Sequence, residues 1–469
     1  MSKTNGFVTF SALVVCLLSS ICHADFSKAL NLYQSGDFEK AKISFEALAE
    51  IGDKTSLFNL GVMYFRGEAV DKDSARAYVM MKIANADNDE NFSRITKAVY
   101  SQLDESQIAK TKTLFVELNE KYSSENIESR IFPKPLNDED CIAPIIPIKQ
   151  VKPTYPRSAQ RVGQYGLVAV EMTISPEGYP RDILVPKYTS KEFLKPTIKA
   201  VTKSSFDSPI NGKPIHSHRT TYIFIMAGDG KLASRTRKKL SKQLDELHQA
   251  SELGDAIAQY DYASRLNTFR HFKSLLRDVD LQYKTANKWL MDSAKRGLPN
   301  AQFDLGRNML IGRGCEVDKV NGFKWITAAA VSGFSPAQNL LAQTALDNTE
   351  EGFNNSEAAI AWLENAAIDG GFASVILLAW ELSTSNVAEI RDGRRALELL
   401  ERSTDQYYDE LRIVETQAAA YASTGDFKKA VKLQNKAVEL AQDNNWDIPL
   451  VSERLDLYKN NQIYLGPYY

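Results

Sequence analysis

Two of the chain's five histidines stand two residues apart, at His216 and His218 around Ser217. In an extended strand residues i and i+2 share a face, so both imidazoles would point the same way. Two ligands fall short of the three or four that a zinc site requires, and strand-edge histidines are the plainer reading. Of the four cysteines, Cys16 and Cys22 lie near the amino terminus, and Cys141 and Cys315 lie far apart in the body of the chain. A nucleophilic cysteine needs an activating histidine in reach, and no motif of that kind surrounds Cys141 or Cys315. The sequence also lacks a nucleophile elbow, a phosphate-cradling glycine loop and a zinc-protease helix motif. No catalytic residue, metal or cofactor is therefore expected, and the chain reads as a non-enzyme.

Charge narrows the partners further. The 469 residues carry 57 Lys plus Arg against 59 Asp plus Glu, a formal net charge of −2. A nucleic-acid binder normally shows a strongly basic domain, so nucleic acid is not expected. The basic run Lys231, Arg235, Arg237, Lys238, Lys239, Lys242 has helical spacing and reads as a solvated face of a helix joining two domains. Apolar residues make up 43% of the chain, as in an ordinary globular protein, and the length predicts two to four domains at roughly 100–200 residues each. The elements that would position any site divide along the same lines.

The first 24 residues stand apart. Lys3 precedes an uncharged stretch from Phe7 to Cys22, and Cys22-His23-Ala24 offers a small-residue cleavage point before Asp25. This pattern predicts a secretory signal peptide over 1–24 and a periplasmic protein. The alternative is an uncleaved single anchor in the inner membrane, for which a 16-residue run is short. Membrane contact is expected only in that case. Export would make a disulfide chemically possible, but spacing alone cannot pair Cys141 with Cys315.

Most of the remainder is repetitive. Lys288-Trp289 recurs at Lys324-Trp325, and Gly297 and Ala301 recur at Gly333 and Ala337, all with a step of 36 residues; a slipped third copy carries Trp362, Ala366-Ala367 and Gly370. Such a period with helical apolar spacing marks a helical solenoid. Within one unit Ala301, Leu305, Gly306 and Leu310 line a first helix, and Phe323, Ile326, Ala329 and Ala330 line a second. Leu57, Leu60, Gly61 and Tyr64 begin the same plan near the amino terminus. Two units share another signature, Ser35-Gly36-Asp37-Phe38 and Thr424-Gly425-Asp426-Phe427. At these residues the sequence resembles Sel-one-like repeats, and at the two Gly-Asp-Phe turns tetratricopeptide repeats. The resemblance implies scaffolds over 25–125 and 249–469 whose concave surfaces grip a protein or peptide, with Trp, Tyr and Ala as inter-helix core.

Between them lies a Pro-containing linker, 126–145, and then sequence of another kind. Val168, Val170, Met172 and Ile174 alternate with polar or small residues at the two-residue period of a half-buried strand. Ser175-Pro176-Glu177-Gly178 signals a turn, Ile183-Leu184-Val185 resumes a strand, Leu194, Ile198 and Val201 stripe a helix, and Tyr222 to Met226 forms a last strand. The order β-β-α-β makes a small α+β domain over 146–228, followed by a basic helical linker over 229–248. Pro153-Thr154-Tyr155-Pro156, Gly163, Gly166, Ile174-Ser175-Pro176-Glu177-Gly178 and Asn211-Gly212-Lys213-Pro214-Ile215 resemble the C-terminal domain of the TonB energy-transducer family. That resemblance implies binding of envelope proteins, outer-membrane receptors among them, by β-augmentation: an extended segment pairs with the exposed last strand. The implied peptide-binding residues are Thr221, Tyr222, Ile223, Phe224, Ile225 and Met226, with Tyr155 and Pro156 nearby. The expectation is thus a multidomain, non-catalytic interaction protein, with α-helical solenoid repeats flanking the α+β module. The runner-up is an inner-membrane-anchored energy transducer serving outer-membrane receptor transport.

Overall fold

Aspartates start many of the helices. Asp37 and Asp426, which follow the two Gly turns, accept the backbone N–H of Lys40 and Lys429, and Asp73 and Asp318 do the same for Arg76 and Asn321; each satisfies one of the amides that a helix start leaves without a partner. The computed structural model describes residues 24–86, 88–131, 133–136, 147–209, 212–224, 230–270, 276, 279–346, 356–368, 371–402 and 409–469. The expected leader up to residue 23, Cys141, Ile225 and Met226 lie outside the described residues.

The chain divides into two compact units, one of residues 1–132 with 295–297 and one of 133–294 with 298–469. The first holds α1 (Ala24–Gln34), α2 (Phe38–Glu50), α3 (Lys54–Arg66), α4 (Ser74–Ala84), α5 (Glu90–Tyr100), α6 (Glu105–Tyr122) and α7 (Ser124–Ile131). Successive helices pack on one another from α1 to α5, and α6 packs on α4, α2 and α7. Leu57, Leu60, Gly61, Ala77 and Met81 are buried as the apolar spacing predicts, whereas Tyr64 is only half-buried and its neighbour Met63 takes the buried place.

The second unit begins with the small domain: β1 (Pro147–Lys149), α8 (Arg157–Arg161), β2 (Gly166–Ile174), β3 (Pro180–Tyr188), a single 3-10 turn at Lys191–Phe193, α9 (Leu194–Thr202), β4 (Ser205–Phe206) and β5 (Ile215–Phe224). The main sheet is antiparallel in the order β3-β2-β5. The β1–β4 pair is a second, two-stranded sheet that the sequence pattern does not announce. Val168, Val170, Met172 and Ile174 point into a core closed by Phe193, Val201, Tyr222 and Phe224. At the hairpin Gly178 has φ +85° and a side chain there would strike the Phe206 carbonyl, so this turn requires glycine.

Twelve helices follow in the described residues: α10 (Gly230–Glu252), α11 (Ala256–Phe269), α12 (Tyr283–Ala294), α13 (Pro299–Leu310), α14 (Lys319–Val331), α15 (Ser335–Leu346), α16 (Ser356–Ile368), α17 (Phe372–Thr384), α18 (Gly393–Arg402), α19 (Glu410–Ser423), α20 (Phe427–Asp443) and α21 (Pro449–Lys459). Each packs on the next. The residue after each repeated alanine supplies a lock. Gln302 and Gln338 donate from Nε2 to the carbonyls of Ala294 and Ala330, and Gln259 does so to Ser251. Each acceptor sits in the last turn of the preceding helix, where carbonyls lack helical partners.

The recurring glycine in the first helix has a different purpose. A Cβ on Gly306 would lie 2.6 Å from the carbonyl oxygen of Gly322 on the facing helix, so two glycines set the closest approach of α13 and α14. Gly306→Val should overpack this crossing and destabilise the chain by about 1–3 kcal/mol. A lowered midpoint in urea unfolding would show it; an unchanged midpoint would mean that the crossing can widen freely.

Candidate functional site

Alternation along β2 sends Ala169, Glu171 and Thr173 to the face opposite the core. A three-stranded sheet with one helix-covered face would leave that second face to water. Here the first helices of five successive repeat units cover it. Lys187 Nζ lies 3.4 Å from Ser264 Oγ on α11, Arg219 pairs with Asp304 on α13, β5 packs on α15, Leu184 joins the apolar cluster of Ile376 and Leu377 on α17, and Arg181 pairs with Asp409 ahead of α19. The strands therefore run along the inner face of the repeat array. Between sheet and array remains a cleft of about 1130 Å³ lined by both.

Two charge clusters fasten the sheet, one at its hairpin end and one at its middle. At the hairpin end the Arg181 Nε–Asp409 Oδ2 distance is 2.8 Å, with both side chains about 1% exposed. The Asp409 carboxylate also accepts the N–H groups of Asp182 and Arg412, each at 2.9 Å. Arg181 donates to the Tyr468 hydroxyl, which in turn donates to Glu415 at 2.5 Å. Glu415 accepts Arg454 at 3.0 Å, and the Tyr469 hydroxyl donates to Asp182 at 2.8 Å. Burial by itself would raise Glu415, but Arg454 and Arg181 outweigh it and hold the carboxyl below its usual range. Burial pushes Tyr468 and Tyr469 well up, so both phenols stay neutral donors.

At the middle of the sheet Glu171 stands directly opposite Arg219 and forms an ion pair with it. Arg219 also reaches Asp304 at 2.5 Å. Arg307, one turn further along α13, donates to the Ser217 carbonyl and lies 3.9 Å from Asp304. Burial opposes the Glu171 charge, yet Arg219 and Arg307 overcome it and lower this carboxyl to about 2. Burial first, and then neighbouring Arg219, lowers Arg307 to about 9.

The residues singled out in the sequence fall into place unevenly. Tyr222 and Phe224 are core residues, and Tyr155 packs edge-on against Phe193 and Phe224 with ring centroids 6.0 and 5.6 Å away. Pro156 precedes α8. Thr221 lines the cleft, and Ile223 pairs with Leu167. The direction of the backbone follows from one pair of bonds. Leu167 accepts from the Thr189 N–H and donates to the Thr189 hydroxyl on the β3 side. Neighbouring residues alternate in direction, so Val168 turns toward β5 and bonds Tyr222. Thr221 and Ile223 then present N–H and C=O away from the sheet. Among the described residues β5 has no second strand neighbour.

His216 and His218 do not share a face. Ser217 has φ +55°, and the β2–β5 register slips there, a bulge that breaks the two-residue period. His216 Nδ1 lies 3.2 Å from Thr173 Oγ1, whereas His218 packs on Phe206. Burial, then Arg313 and Arg307, lower His218 to about 4. Cys315 is buried, and its main chain bridges Pro135. Among the described residues no helix is long and apolar enough to cross a membrane. Sequence reasoning missed both charge clusters; Glu171 and Arg219 inside apolar strand patterns were the available signal.

Residues 151–225 match the family described as Gram-negative bacterial TonB protein C-terminal. Residues 55–89, 299–333, 335–370 and 380–408 match the Sel1 repeat. Among solved structures, a Sel1 repeat protein from Oxalobacter formigenes is similar at 19% identity and a TM-score of 0.35, over 50% of this chain and 93% of that one. So is c5321, a protective antigen present in uropathogenic Escherichia coli strains displaying an SLR fold, at 16% identity and 0.35, over 94% and 84%. Among curated proteins none matches the chain.

Both clusters can be tested. Asp409→Asn leaves the buried Arg181 charge uncompensated and should cost about 3–5 kcal/mol in urea unfolding; a loss under about 1 kcal/mol would show that water reaches Arg181. Glu171 titrates near 4.5 when unfolded and about 2 in place. A lowered folded value adds stability above the unfolded one and loses it as pH falls toward the folded one. Stability should therefore drop between pH 4.5 and 2, and Glu171→Gln should flatten that part of the profile.

Proposed function

We propose that this chain, which carries a TonB C-terminal-type domain among Sel1 repeats, is a non-catalytic periplasmic interaction protein. Its partner is an envelope protein, an outer-membrane receptor among the candidates, and it captures an extended segment of that partner as a further strand beside β5. The observation that carries this reading is the outward backbone of Thr221 and Ile223 on an edge strand with no second strand neighbour among the described residues. Main-chain hydrogen bonds would give affinity and alternate side chains selectivity. Export rests on the leader-like segment of residues 1–24.

The array takes a different part from the one its repeats suggest. Its inner face over α11–α19 already holds the chain's own sheet. That arrangement favours capture at the sheet edge, with the repeats as a rigid cradle, over recruitment of a second partner at the same face.

Proline is tolerated on an edge strand where its missing N–H faced outward. Thr221→Pro should therefore leave the circular dichroism and melting temperature close to wild type while abolishing capture of an envelope partner from Gram-negative membrane extract. Hydrogen exchange on the wild-type complex should slow at Thr221 and Ile223. Undiminished capture by the proline variant, with those amides still exchanging freely, would move recognition away from β5.

A further inference from the structure

The cleft wall has a rung of inner positions whose chemistry changes from unit to unit. Five residues beyond the locking glutamines Gln259, Gln302 and Gln338 stand Ser264, Arg307 and Gln343, and all three line the cleft. Arg307 is the charged one, with 6% of its side chain exposed. The carboxylates within reach are committed elsewhere. Glu171 and Asp304 both pair closely with Arg219, and Arg307 keeps a 3.9 Å approach to Asp304 and a bond to a neutral carbonyl. Arg313, in the turn after α13, lines the same cleft and lies against the Tyr283 ring. Around Arg307 three guanidinium groups thus face two carboxylates, the cleft's other two being directed elsewhere, Asp261 to Lys187 and Asp182 to the hairpin-end cluster. Burial first, and then Arg313 and Arg307, lower His218, which accords with a positive surplus beside β5.

A second feature of the wall concerns hydrogen bonding. The side-chain amide oxygens of Asn267 on α11 and Asn339 on α15 are buried with no hydrogen-bond partner among the described residues, and both residues line the cleft. Buried acceptors of this kind normally have a donor. The backbone N–H groups of an extended segment laid along the cleft would supply one.

Building on the strand-capture reading, we infer that the captured segment carries an acidic side chain, whose carboxylate is held by Arg307 and Arg313 beside the Ser217 end of β5 while Asn267 and Asn339 accept from its backbone. Guanidinium groups bind carboxylates in paired hydrogen bonds, and an anion here neutralises the surplus. A neutral or basic side chain at that position leaves Arg307 buried beside Arg219 without relief.

The test uses the full chain and two fluorescein-labelled peptides of about ten residues, alternating threonine and valine, with a single central Asp in one and Asn in the other. Fluorescence anisotropy should give the Asp peptide at least about tenfold tighter binding. Arg307→Gln and the more exposed Arg313→Gln should each shrink that ratio. Arg313→Gln keeps the test valid if Arg307→Gln fails to fold by circular dichroism. Equal binding of the two peptides to wild type overturns the acidic subsite and leaves strand capture standing. Tighter binding of the Asn peptide, or an Asp preference unmoved in both folded variants, also overturns the subsite. Binding of neither peptide overturns strand capture and the subsite together.

Discussion

The ion pair of Arg181 with Asp409 joins residues 228 positions apart, with both side chains buried. Neither charge could stay where it is without the other, because an isolated buried charge is far costlier than a paired one. The sheet and the repeat array are therefore committed to one relative placement. Asp409 deepens the commitment, since the same carboxylate also starts α19 by accepting the Arg412 N–H. A helix start, a strand end and a domain contact depend on one side chain.

From that placement the rest follows. The face of the sheet turned away from α9 is polar at its centre, with Glu171 and Arg219 opposite one another. An apolar face could have slid along the array with little loss, because apolar burial has no direction. Ion pairs and hydrogen bonds do have direction, so Arg219 between Glu171 and Asp304 fixes the register. Buried ion pairs often add little net stability over apolar packing. In this chain their contribution is orientation: the hairpin end meets α19, and the other end of β3 meets α11.

Much of this architecture is legible in the sequence for a physical reason. Repeats advertise themselves because each unit meets the same packing problem, and Gly306, the alanines and Gln302 and Gln338 are its recurring solutions. The hairpin is legible because few residues other than glycine tolerate the backbone of Gly178. The docking of sheet on array leaves no such trace. Arg181, Asp409, Glu415 and Tyr468 are ordinary polar residues locally, and their meaning arises from contacts between segments hundreds of residues apart. The bulge at Ser217 is equally silent, because a serine at positive φ breaks a period that the letters His-Ser-His appear to keep. The two-residue strand β4 is too short to show any period at all.

The same docking bears on recognition through entropy. A small sheet on a flexible tether would have to surrender orientation on meeting an extended partner, and ordering costs of that kind subtract directly from affinity. In this chain folding has already met that cost: β5 is held on one side by β2 and at its Ser217 end by Arg307. The outward amides of Thr221 and Ile223 are thus presented at fixed spacing along a rigid wall. An arriving segment has its own backbone to order and no sheet to reposition. A cradle of stacked helices suits this task because each first helix adds its own contact to the sheet, so the wall can run as long as the strand it supports.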